Sequence, residues 1–162
     1  MRSVTDGSRS SLLTSAAYRS RASRAAAIEA LESFRRGWIR TDKKSRSTKA
    51  FCLFFDNSGL FRELRGHGAD FHKHVRCGIL HHADTTGGWR IRRDISPLFD
   101  PTDRTINARL FLDALNVAVN DFCDRLKIAA WDSAEWKNVR HKMDAMVRHC
   151  AMPTKAETTA EN

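Results

Sequence analysis

INARLFLDALNVAVNDFCDRLK, Ile106 to Lys127, decides the fold class. Ala108, Leu112, Leu115, Val119, Phe122 and Leu126 recur at alternating four- and three-residue steps. That is the apolar stripe of a helix packed lengthwise against others in a bundle. Towards the C-terminus, Asp132 with Glu135 predicts a capping box for a last helix. That helix carries Trp136, Val139, Met143, Met146 and Cys150 at three-four spacing. The polar run from Pro153 is expected to be a disordered tail.

Towards the N-terminus, SPLFDPTD is turn-rich, and WRIRRDI, Trp89 to Ile95, nearly alternates apolar and charged residues. The alternation predicts a short strand or hairpin arm. A third helix is predicted from Ala69 to Ala83, burying Phe71, Val75, Ile79 and one edge of His82. Its exit falls at Thr85–Gly88, where glycines supply positive φ. Ser47 or Thr48 is the expected cap of a second helix carrying Phe51, Phe54 and Phe55. DNSG, Asp56 to Gly59, interrupts that helix before Leu60, Phe61 and Leu64. The basic stretch TDKKSRSTK reads as a solvated connection. Before it, Ala27, Leu31, Phe34 and Trp38 mark a first helix over Arg19–Ile39. Residues 1–18 are Ser-rich and read as a flexible basic arm. The predicted architecture is all-α: a small helical bundle of four to five helices over residues 19–152, with a short β-like hairpin or strand insertion and a polar tail at 153–162.

A chain of 162 residues fits one domain with a real core, and 41% hydrophobic residues is globular composition rather than disordered. The net charge of +9 favours polyanionic partners, nucleic acid first and acidic membrane surface second. No apolar run approaches a membrane-spanning length. The acid-poor stretch Met1–Ala27 imitates a transit peptide, but a basic arm leading into the first helix is the preferred expectation. Cys52, Cys77, Cys123 and Cys150 form no CxxC pair, and three lie in apolar stretches. Buried reduced thiols in a cytoplasmic protein are expected.

The candidate chemistry sits in VRCGILHHADTTGGW, Val75 to Trp89. A histidine near neutrality takes a proton from a ribose 2′-hydroxyl or gives one to a leaving oxygen. An arginine beside it stabilises the charge that develops on the phosphate. On an ideal helix Arg76 lies about 140° from His81 and about 120° from His82, so neither pair faces one way on a straight helix. A solvated polar face is the bland alternative. A site where two copies of this helix meet across a dimer axis is the functional one. Arg90, Arg92 and Arg93 are candidate phosphate-binding residues, or else charges that protect an edge strand. His67, His72, His74, His81, His82, Cys77 and Asp84 crowd together and are zinc-ligand types, but they show no established ligand spacing. No metal or other cofactor is expected.

Arg76-Cys77-Gly78-Ile79-Leu80-His81 resembles the R-x4-6-H motif of the HEPN superfamily, and His82 fits it equally. The Gly88-Trp89 turn, the basic strand and INARLFLDAL resemble a branch of such proteins, over roughly Phe71 to Leu126. The chain departs from the common pattern at Cys77, where a polar residue often follows the arginine. The resemblance implies a helical bundle and a homodimer that brings two motifs together. It also implies metal-independent cleavage of single-stranded RNA, often in toxins and phage defence with an antitoxin or defence-system partner. His81 would be the general acid/base, Arg76 the phosphate stabiliser, and His82 a support or alternate base. Some members have lost catalysis and bind RNA, nucleotide or a protein partner instead.

Overall fold

The computed structural model describes residues 26–41 and 44–151. The basic arm, the start of the first helix and the polar tail lie outside the described residues. Within them the chain is mostly helical, with a three-stranded sheet inserted, and so is not all-α in the strict sense. No helix among the described residues is long and apolar enough to cross a membrane.

Helix α1 covers 26–36, shorter at its C-terminal end than the apolar spacing predicted. Gly37, at φ 62°, stops it: the Trp38 amide donates to the Ser33 carbonyl and the Gly37 amide to Phe34. This is the left-handed exit that glycine enters without a Cβ penalty. Helix α2, Lys44–Asn57, begins a turn earlier than Ser47 or Thr48 would have set it as caps. A 3-10 stretch, Gly59–Leu64, follows the DNSG break.

The central helical run has three parts: α3, Gly68–Asp70; a π-helical stretch, Phe71–Arg76; and α4, Cys77–His82. Phe71, Val75 and Ile79 are buried as their spacing predicts, whereas His82 is exposed and contributes no edge to the core. The run leaves the helix at Ala83, in the left-handed conformation at φ 60°, ahead of the expected glycines. Gly87 and Gly88, also at positive φ, instead turn the loop back over the helix. There the Thr86 amide donates to the His74 carbonyl at 2.9 Å.

Strand β1, Arg90–Arg92, pairs in parallel with β3, Thr105–Asn107, with Ile91 opposite Ile106. Strand β2, Phe99–Asp100, pairs antiparallel on the other side of β3. Ile106, expected to open the long helix, therefore belongs to the buried central strand. The helix, α5 (Ala108–Ile128), starts at Asn107, whose Oδ1 accepts from the amides of Arg109 and Leu110. Helix α6, Ala134–Ala151, is capped by the Ser133 hydroxyl, which accepts from the Trp136 amide at 3.3 Å. The expected Asp132/Glu135 box is displaced by one residue.

The core is a cluster of aromatic rings. Phe51, Phe54, Phe55 and Phe61 are completely buried. Phe71 stacks on Phe111 at 5.5 Å, and Trp89 stacks on Phe99 at 5.1 Å. Phe71 meets Trp89 edge-on, which welds the sheet to the helices. Helix α6 contributes little: Val139 is its one fully buried residue, while Met143 is 52% and Val147 66% exposed. The cysteines are not the buried thiols expected. All four are free, Cys52 and Cys77 half-buried and Cys123 and Cys150 exposed.

Candidate functional site

A cleft of about 970 Å³ lies where α1, the start of α2, the central run and α6 approach one another. Glu29, Arg40, Ser47, Thr48, His72, Lys73, Arg76, Cys77, His81 and Lys142 are among the side chains on its wall. Among the described residues of the wall, the cations Arg40, Lys73, Arg76 and Lys142 outnumber the carboxylate Glu29. The excess charge suits a phosphate-bearing ligand.

Arg76 and His81 therefore share one cleft within a single chain. Arg76 Nε donates to Glu29 Oε1 at 2.7 Å, joining the central run to α1 across 47 residues. Glu29 is 10% exposed and Arg76 25%. The carboxylate thus fixes the guanidinium through one edge, while the wall position leaves it facing the cleft. His81 is exposed, and His82, also exposed, is not part of this wall.

The loss of either partner strands a charge. Arg76→Ala is expected to lower stability by about 1–2 kcal/mol, less than for a fully buried pair because Arg76 is a quarter exposed. Glu29→Gln, which retains a hydrogen-bond acceptor, is expected to lose less. Urea unfolding of the two variants checks the order; an unchanged midpoint for Arg76→Ala would mean the pair is idle.

The π-helical stretch shapes the wall. On an ideal α-helix, residues five apart diverge by about 140°. Across the π turn the Cys77 amide donates to the His72 carbonyl, five residues back, and stacks the two. Cys77 Sγ then lies 3.8 Å from His72 Nε2. His72 is 6% exposed, with Nε2 2.8 Å from Ser47 Oγ and Nδ1 3.1 Å from Thr48 Oγ1. Ser47 and Thr48, expected as helix caps, hold an imidazole instead. Such insertions recur at functional sites because they break the ladder and re-aim side chains.

The remaining candidates lie elsewhere. Arg90, Arg92 and Arg93 are exposed on and after β1, and none of them lines the cleft. Arg92 is bound to Asp94 at 2.6 Å, and that hydrogen bond holds the Asp94 carboxyl below the usual carboxylate range. His67 packs edge-on against Phe99, and His74 Nδ1 lies 3.0 Å from Thr86 Oγ1. Among the described residues, no three His, Cys, Asp or Glu side chains gather as a metal site. Glu29, Ser47, Thr48, His72, Arg40, Lys73 and Lys142 are among the wall residues that the motif did not announce. A faint signal existed for Glu29, an acid inside the apolar face of Ile28 and Leu31, whereas nothing local marked Arg76 as its partner. No family model, curated protein or solved structure matches the chain.

Proposed function

We propose that the protein is a metal-independent endoribonuclease acting on single-stranded RNA, and that the Arg76/His81 cleft is its site. The observation that supports this most is the meeting of Arg76 and His81 on one cationic wall. His81 would transfer the proton, from the attacking 2′-oxygen or to the leaving 5′-oxygen. Arg76, steadied by Glu29, would stabilise the charge growing on the phosphate, with Lys73, Arg40 and Lys142 drawing the strand in. His82, away from the wall, is at most a substitute base. Arg90, Arg92 and Arg93 would bind flanking phosphates outside the cleft, Arg92 after giving up Asp94.

Because these groups supply proton transfer and positive charge themselves, the purified protein is expected to cleave single-stranded RNA with EDTA present. The fragments are expected to end in 2′,3′-cyclic phosphates. Loss of activity on chelation, restored by zinc or magnesium, would sink the mechanism.

A homodimer, and a toxin or phage-defence setting with an antitoxin partner, belong to this reading through the motif's likeness to HEPN proteins. Mixing Arg76→Ala with His81→Ala subunits tests whether the site is shared. Rescue means arginine and histidine act across two chains; no rescue, with exchange confirmed by mass spectrometry and each parent dimeric, leaves the shared site unsupported and favours a single-chain cleft or the non-catalytic reading.

A second reading, RNA binding without cleavage, has one observation in its favour. Among the described residues no hydrogen bond orients the His81 ring, whereas a general base is commonly aligned by a partner on its other ring nitrogen. Salt-sensitive RNA binding with no products would select it.

A further inference from the structure

We propose that Ser47 and His72 form a nucleophile–base pair in this cleft, able to attack phosphoesters that have no 2′-hydroxyl. This goes beyond the RNA-cleaving role of Arg76 and His81 and assigns a different nucleophile and a different base, on the same cationic wall.

Three observations carry it. Ser47 Oγ lies 2.8 Å from His72 Nε2, within reach for direct proton transfer. Thr48 Oγ1 lies 3.1 Å from Nδ1, the other ring nitrogen. When Nδ1 carries the proton and donates it to Thr48, Nε2 is left to accept from Ser47. A nucleophile, a base and a group that orients the base are then joined through the two ring nitrogens. Finally, Ser47, Thr48 and His72 are all on the wall that carries Arg76, Lys73 and Arg40. Those cations select a phosphate-bearing substrate over a neutral ester and stabilise the charge on its non-bridging oxygens. A clamp needed only to tie α2 to the π-helical stretch would work equally well away from the cleft.

The reaction balances without a metal or redox partner. The Ser47 hydroxyl proton passes to His72 Nε2 as Oγ bonds to phosphorus. The bond from phosphorus to the leaving oxygen breaks, and that oxygen departs with the electron pair. His72 Nε2 releases its proton to that oxygen or to solvent. Water then attacks the phosphoserine phosphorus, losing a proton to the freed Nε2, and Oγ leaves with the electron pair and takes that proton back. Thr48 is neutral and stabilises the imidazolium less than a carboxylate would, so a substrate with a good leaving group is the suitable probe.

Incubate the full-length protein with bis(p-nitrophenyl) phosphate, quench in acid and map adducts by peptide mass spectrometry. One p-nitrophenyl phosphoryl group is expected on Ser47, with a matching burst of p-nitrophenolate. Ser47→Ala is expected to abolish the burst, and His72→Gln to slow it at least about 100-fold. The adduct is mapped on the wild type, so the test survives a variant that fails to fold. No adduct, or an adduct on another residue, overturns the pair. RNA cleaved to cyclic-phosphate ends by a protein that never acquires the adduct overturns this inference and leaves the Arg76/His81 reading standing. An adduct without RNA cleavage does the reverse.

Discussion

Gly68→Ala is expected to melt about 10 °C below the wild type, a loss of about 3 kcal/mol or more. Gly68 is buried where the central run crosses α2. A methyl group built on it would sit 2.5 Å from both Cα and N of Cys52 and 2.8 Å from the Phe51 carbonyl carbon. Those are backbone atoms of a helix, which cannot swing aside as a side chain can. The helices would have to separate, loosening Phe51 from Phe71, now 5.4 Å apart, and His72 from Ser47. The substitution should therefore weaken the cleft as well as the core. Gly59→Ala is the control, because nothing lies within 4 Å of its added methyl. Removing a glycine there restricts the unfolded chain and is expected to be neutral or slightly stabilising. Thermal unfolding followed by circular dichroism separates the two. Equal melting temperatures would mean that the helix crossing is looser than the geometry requires.

His81→Ala is expected to lower RNA cleavage by about 10² to 10⁴-fold, the contribution of one proton-transferring side chain. Its melting temperature should not move, because the His81 side chain is exposed. Arg76→Ala should lose comparable activity but also some stability, since it strands Glu29. Ile79→Asp marks the opposite extreme: it buries a carboxylate without a partner in the core and should unfold the chain. If His81→Ala melted as low as Ile79→Asp, the histidine would be a packing residue. If it cleaved RNA at the wild-type rate, the acid/base assignment would fall.

The sequence by itself determined the long helix α5, the burial of Phe71, Val75 and Ile79, the break after α2 and the strand at Arg90–Arg92. These depend on local spacing and turn chemistry, which neighbours along the chain supply. It also placed Arg76 and His81 five residues apart on one helix. Where partners lie far along the chain, only the tertiary structure decided. Ile106 looks like the first residue of an apolar helix, yet pairing with β1 and β2 draws it into a strand and moves the cap to Asn107. Ser47 and Thr48 resemble helix caps, but His72, held against them by the π-helical stretch, engages both hydroxyls. The apolar stripe of α6 reads as core, yet Met143 and Met146 stay exposed because the described chain packs little against that end of the helix. Glu29 meets Arg76 across 47 residues, and no periodicity encodes that distance. The cationic cleft follows from the same cause: its wall gathers side chains from α1, α2, the central run and α6, whose adjacency exists only once the aromatic core has closed.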